Sequence, residues 1–200
     1  MEEALRSVAD APDVRHTAGP AGGRAMTDAD LQGLRVHLRV LSDADLPTLS
    51  AIVSEPGVQP WWTDTSEVGL EAALIGAPDT SSWAVLVEGR LAGVVSAFDA
   101  GWPPGTSVGL AVALADAWQD RGLGPEALSV LIAHVIGERA VHRFTVDPAA
   151  ANARAIRAYE KLGFRRVGVM RQSEPAPGGA WRDCMLMDLL ASEFIDRSAE

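Results

Sequence analysis

The ten residues Trp118-Gln119-Asp120-Arg121-Gly122-Leu123-Gly124-Pro125-Glu126-Ala127 constrain this chain more than any others. They join an apolar run, Val108 to Leu114, to an amphipathic run, Pro125 to Glu138. The first has the length of a buried strand and the second the spacing of a helix. Gly122 and Gly124 permit positive φ and close approach of a ligand. Pro125 suits the first helical position, where a missing N–H costs nothing. The free N–H groups of such a turn and helix start point outward at the strand's end and bind phosphate without a lysine. The stretch reads as a pyrophosphate cradle. A glycine-rich turn with no ligand is the bland alternative.

Two ligand readings fit the cradle. Gly122-Leu123-Gly124-Pro125-Glu126-Ala127 matches the dinucleotide pattern G-x-G-x-x-A, with Asp147 about 20 residues on. That fingerprint, however, starts directly at the strand end, whereas Ala115 to Arg121 intervene here. It also needs further βαβ units, which the chain does not supply. In the second reading, Gln119-x-x-Gly122-x-Gly124 resembles the Q/R-x-x-G-x-G/A motif of the GNAT superfamily of N-acetyltransferases, where it forms the coenzyme A site.

Composition narrows the class. A chain of 200 residues with 48% hydrophobic content is one domain with a full core. No apolar run approaches the roughly 18 residues of a membrane span, and Ala4 to Arg15 lacks a signal-peptide pattern. Cys184 is the only cysteine, so no internal disulfide forms and no metal-ligand spacing exists. It reads as a buried bystander. A cytoplasmic protein without a metal is expected. The formal charge of −10 argues against a nucleic-acid partner and favours a cationic substrate.

Read in order, Met1 to Leu34 shows no sustained period and is expected to be a flexible leader, with the folded domain at 35–196. Arg35 to Leu41 alternates as a half-buried strand. Ser42 or Asp43 caps a helix over Ala44 to Ser54. Trp61 and Trp62 follow in a Pro-flanked loop; they serve either core packing or an aromatic wall for a substrate. A helix is expected over Ser66 to Ile75. Ser82–Val87 and Leu91–Phe98 make a hairpin about Glu88-Gly89-Arg90. Asp99 to Thr106 is a loop holding Trp102, and Ser107 to Leu114 completes a meander. After the cradle helix, Val141 to Val146 is a strand parallel to the one before the cradle, because a helix joins them. Asn152 to Leu162 is a helix ended by Gly163. Phe164 to Met170 and Cys184 to Leu190 are strands, with a mobile loop over Gln172 to Arg182. Ala191 to Asp196 is a short terminal helix. His37 and His134 read as surface histidines.

A second motif strengthens the resemblance. The run from Asp147 to Phe164 is similar to the superfamily's D/E-x4-N-x2-A-x3-Y-x3-G-F segment through Asp147, Asn152, Ala155, Tyr159, Gly163 and Phe164. Within the superfamily the chain is most similar to aminoglycoside 6'-N-acetyltransferases, through Pro60-Trp61-Trp62, Thr145 to Pro148, Arg157 to Lys161 and Leu186 to Leu190. The resemblance implies an α/β (α+β) GNAT fold: a mixed, mostly antiparallel sheet of six to seven strands, a central splayed parallel pair, and helices on both faces.

It also implies roles. Acetyl-CoA is the co-substrate. Main-chain groups of Val112, Ala113 and Leu114 pair with its pantetheine arm, and the cradle from Gln119 through Asp120, Arg121, Gly122, Leu123, Gly124 and Pro125 meets its pyrophosphate. Asn152 bonds the arm or caps its helix, or both. An attacking amine must lose a proton and the leaving thiolate must gain one. Tyr159 is the implied thiolate acid. The strand carboxylate that faces the amine in aminoglycoside enzymes has no counterpart, because Leu110 and Ala111 occupy the matching positions. Asp147 matches a position that carries the base in several superfamily members, with a plain Asp-Pro turn as its alternative. Trp61, Trp62, Asp99 and Trp102 stand on the acceptor side. The implied activity is acetyl transfer to a primary amine, with the aminoglycoside 6'-amine as the first acceptor, in a monomer or homodimer. A protein N-terminus or lysine, a polyamine or a siderophore precursor are the other acceptors. A catalytically silent acyl-CoA-binding module is the non-enzyme alternative.

Overall fold

The computed structural model describes residues 29–101 and 104–196. Most of the expected leader, and Trp102, lie outside them. Eight strands form one sheet: β1 (Leu31–Gln32), β2 (Val36–Val40), β3 (Thr80–Val87), β4 (Arg90–Asp99), β5 (Ser107–Leu114), β6 (Arg143–Val146), β7 (Arg165–Pro175) and β8 (Trp181–Leu190). Their spatial order is β1-β2-β3-β4-β5-β6-β8-β7. Among the described residues four α-helices accompany them: α1 (Leu46–Val53), α2 (Glu67–Leu74), α3 (Leu123–Glu138) and α4 (Ala153–Lys161).

Period-two patterning sorts the strands' side chains between two cores. Ala84, Val94 and Ala113 face α1 and α2, packing with Leu49, Val53 and Leu70. Val85, Val95 and Leu110 face the other way, against Leu128, Leu131 and Ile132 of α3 and Ile156 of α4. Helices therefore cover both faces. The β3–β4 hairpin turns through Glu88 and Gly89, both at positive φ, 52° and 74°. Two left-handed residues give the turn that matches strand twist.

One pair decides where a ligand can enter. β5 and β6 run parallel and pair only at Ser107–Gly109 with Arg143–Thr145. Beyond them β5 stays bonded to β4 as far as Leu114, while β6 ends at Val146. The two strands therefore part, and the β6-facing main chain of β5 from Leu110 onward lacks a strand partner.

Several expectations need correction. The sheet has eight strands rather than six or seven, because Leu31 and Gln32 pair with Leu38 and His37. Trp83 Nε1 also donates to Ala29 O at 3.0 Å. Residues 29–34, read as leader, are thus tied to the sheet. The expected loop over Gln172 to Arg182 is mostly strand: β7 runs to Pro175 and β8 starts at Trp181. Pro177, Gly178 and Gly179 shape only the tip, and the register shifts at an irregularity between Met170 and Glu174, with Gln172 at φ 49°, beyond which the two strands pair again through Glu174 and Arg182. The expected terminal helix is a single 3-10 turn, Ala191–Glu193. Among the described residues no helix is long and apolar enough to cross a membrane.

Candidate functional site

The cradle is built from main chain. Asp120 and Gly122 both take left-handed conformations, φ 57° and 77°, on either side of Arg121. Such alternation turns successive N–H groups toward one point. The helix begins at Leu123, not at Pro125, and its first bond is Glu126 N to Gly122 O at 3.1 Å. The N–H groups of Asp120, Arg121, Gly122, Leu123 and Gly124 find no acceptor among the described residues. Pro125 stands third in the helix, still within the turn whose N–H groups lack intrahelical partners, and so costs nothing. A Cβ at Gly124 would meet only Leu114 Cδ1, at 3.7 Å. Internal packing does not demand glycine there.

Side chains hold this loop from behind. The buried Glu126 carboxylate accepts from Arg35 N at 2.5 Å, Val36 N at 3.2 Å and Arg35 Nε at 2.8 Å. Arg35 Nη1 also donates to Arg121 O at 2.9 Å. Gln119 borders the cleft, but both ends of its amide are engaged by the protein. Its Nε2 donates to Leu114 O at 2.7 Å, and its Oε1 accepts from Arg154 Nη1. Arg154 Nη2 continues to Gly57 O at 2.9 Å. Gln119 thus fastens the end of β5 to α4.

In front of the cradle lies a cleft of about 330 Å³. Val112, Ala113 and Leu114 form one wall, Asp120, Gly122, Leu123, Gly124 and Pro125 the floor, and Asn152, Ala155 and Ala158 the wall of α4. Trp61 and Trp62 border the same space rather than a separate one. Asn152 Oδ1 accepts from Ala155 N at 3.1 Å, so it does cap α4. Its amide Nδ2 remains for a ligand. The donor set suits a pyrophosphate followed by an extended amide chain: five unpaired N–H groups at a helix start, then an unpaired strand edge, then a side-chain amide.

Titratable groups gather beyond the end of β6. Asp147 keeps contact with solvent, yet its carboxyl is held above the usual carboxylate range, first by partial desolvation and then by the charge of Glu174. Tyr159 is buried, its ring edge-on to Phe164 with centroids 5.7 Å apart. Burial, and after it the Asp147 charge, pushes the phenol well above its ordinary value. Neither residue lines the cleft itself. Glu174 on β7 pairs with Arg182 Nη2 at 2.9 Å and accepts from Cys184 Sγ at 3.4 Å. Desolvation, chiefly, pushes the Cys184 thiol up. Arg182 then donates to Pro60 O at 2.7 Å and Trp61 O at 3.0 Å, while Thr63 Oγ1 donates to Pro175 O at 2.9 Å. These bonds tie the tryptophan loop to the β7–β8 hairpin.

Asp99 is a correction. It ends β4 opposite Val108, at the far end of β5 from Leu114. Its carboxylate accepts from Gly101 N at 3.0 Å and Gly105 N at 2.6 Å, so it shapes its own loop. Trp102 lies outside the described residues. Leu110, at the position of the missing strand acid, is buried in the core. Arg154, Glu174 and Arg182 were not anticipated. The last two sit directly opposite in the hairpin register, a pairing of opposite charges hidden by the turn-forming residues between them.

A family model described as "Acetyltransferase (GNAT) domain" matches residues 35–165. The chain is 28% identical over 155 residues to an aminoglycoside N(6')-acetyltransferase type 1 of Klebsiella pneumoniae, covering 68% of this chain and 76% of that one. RimJ of Mycobacterium smegmatis, solved with CoA-disulfide, shares the fold at a TM-score of 0.72 and 19% identity, over 84% of this chain and 90% of that one. A Vibrio cholerae spermidine N-acetyltransferase, solved with CoA and spermine, shares it at 0.66 and 18%, over 80% of this chain and 97% of that one.

Proposed function

The chain belongs to the GNAT acetyltransferases, which move an acetyl group from acetyl-CoA to an amine, and from that premise we propose the 6'-amine of an aminoglycoside as its acceptor. Acetyl-CoA, when bound, supplies the activated acetyl thioester. The unpaired amides of Asp120 to Gly124 hold its diphosphate, and the free edge of β5 aligns its arm with the split between β5 and β6. Asn152 Nδ2 donates to the arm while Oδ1 keeps the helix cap. A free β5 N–H supplies a donor for negative charge developing on the carbonyl oxygen.

Proton transfer falls to two groups. Asp147 accepts a proton from the acceptor's ammonium, directly or through water. Its raised pKa brings its basicity nearer to neutral pH, where a general base works best. Tyr159 is protonated at neutral pH, as any ordinary phenol is, and so has a proton to give to the departing thiolate.

The observation that carries the acceptor reading is the acidic, aromatic mouth: Asp147 and Glu174 interact electrostatically beside the Trp61–Trp62 loop that Arg182 ties down. Carboxylates and ring faces suit a polyamino sugar. The similarity to the Klebsiella pneumoniae enzyme supports the same class. One observation favours a different amine, a polyamine or a protein N-terminus: Leu110 and Ala111 stand where an aminoglycoside enzyme would carry its strand acid. Thiol release from acetyl-CoA, followed with kanamycin-like sugars, polyamines and peptides, tests the choice. Turnover is expected with the sugars; turnover with polyamines or peptides alone would remove the aminoglycoside reading, and none at all would favour a silent module.

A further inference from the structure

The charge of the cleft runs against the charge of the chain. The whole sequence carries a formal −10. Yet the charged residues lining the cleft are Asp120 on one side and Arg154, Arg157 and Lys161 on the other. The three cations recur at i, i+3 and i+7, which places them along one side of α4. Arg154 is committed to Gln119 and to the Gly57 carbonyl. Arg157 and Lys161 are exposed and have neither an ion pair nor a hydrogen bond among the described residues. Glu160, the carboxylate between them in sequence, is engaged by Arg166 at 2.8 Å. Lys161 is also the chain's only lysine.

A purely structural account covers part of this. Lys161 sits in the last turn of α4, where a cation complements the helix dipole. That account leaves Arg157 unexplained, one turn earlier and beside the same cleft. It also leaves unexplained why two unneutralised cations border the space in an acidic protein. The diphosphate of a bound nucleotide already has its donors in the five amides of the cradle and the start of α3. Arg157 and Lys161 are surplus to it, and they suit one more phosphate dianion.

We propose that Arg157 and Lys161 hold the 3'-phosphate of the donor nucleotide, so that the cleft selects coenzyme A thioesters over dephospho-coenzyme A and over acyl groups carried on phosphopantetheine alone. This rests on the acetyl-CoA reading of the cleft. No bond forms or breaks at this subsite; it acts on affinity for the donor.

Calorimetry of the full chain with coenzyme A and with dephospho-coenzyme A, without any acceptor, tests it. The wild type is expected to bind coenzyme A about tenfold more tightly, the size expected of two solvent-facing cations on one dianion. The preference should shrink in 1 M salt, where exposed charges are screened. In the R157Q/K161Q variant the two ligands should bind alike, and R157Q alone should lose about half of the preference on a logarithmic scale. A melting temperature close to wild type would confirm that the variants fold. Equal affinities in the wild type would overturn the proposal, as would a preference that survives in the double variant. Binding of neither ligand to the wild type would instead bring down the acetyl-CoA reading beneath it.

Discussion

The two regions proposed for donor and acceptor are made of different material. The donor end is main chain: five amides with no internal acceptor, set by Asp120 and Gly122 at positive φ and braced from behind by Glu126 and Gln119. The proposed acceptor side is side chain: Trp61 and Trp62 border the cleft, while Asp147, Glu174 and Arg182 gather beyond the end of β6, Arg182 bonding Glu174 and the tryptophan loop and Glu174 acting on Asp147 through its charge. Main-chain recognition depends on backbone path, so it tolerates much change in sequence. Side-chain recognition changes with each substitution. A chain can thus keep its donor while its acceptor drifts.

Substitutions can break or sharpen that contrast. The largest effect is expected at the donor end. Gly124→Leu should leave the melting temperature nearly unchanged, since a Cβ there finds ordinary contact distance. The longer side chain would project over the amides, and losing two charge-assisted hydrogen bonds should weaken acetyl-CoA binding by about a thousandfold. Calorimetry reads this directly; a side chain accommodated without loss of affinity would show that the cleft is used otherwise.

Tyr159, buried outside the cleft, links the two in the proposed chemistry. Tyr159→Phe keeps the ring against Phe164 and removes only the hydroxyl. kcat should fall by about 100-fold while the Kd for coenzyme A holds within about twofold, as for a general acid. Parallel losses in both constants would make the residue structural.

At the acceptor end smaller changes are expected. Arg182→Ala removes the bonds that hold Pro60 and Trp61. The acceptor KM should rise about tenfold and the acetyl-CoA KM less, because the tryptophans border the donor cleft as well. If only the acetyl-CoA KM moves, the loop belongs to the donor side and the contrast fails.

The smallest effect concerns pH. Asp147 must be ionised to act as a base, so kcat/KM should rise with pH through its raised pKa, and Asp147→Asn should abolish that limb. Glu174→Gln removes a negative charge that raises the Asp147 pKa. The limb should then move to lower pH, by a few tenths of a unit at a partly solvated site. A shift to higher pH would mean that the pair is coupled through something other than charge.

Local signals made much of the molecule legible. Strand alternation, the Gly89 turn, the Asn152 cap and the glycines of the cradle are decided within a few residues of one another. The cap role of Asn152 is borne out, and because a cap uses only its oxygen the amide nitrogen is left for the proposed contact with the donor. Asp99 misled for the converse reason. An aspartate at a strand end looks the same whether its oxygens face a substrate or the amides of Gly101 and Gly105. The β7–β8 hairpin was underread because proline and glycine mark flexibility locally, while the ladder formed with the neighbouring strand extends order across them.

By itself the sequence determined the order of most elements, the left-handed turn before α3 and the family, because each follows from short-range spacing. Tertiary structure alone decided which wall each residue serves. It set Glu174 against Arg182 and Asp147, turned Gln119 inward to Leu114 and Arg154, and let β5 and β6 part after three paired residues. Those outcomes depend on distances between segments far apart in the chain, and spacing along a sequence carries no measure of them.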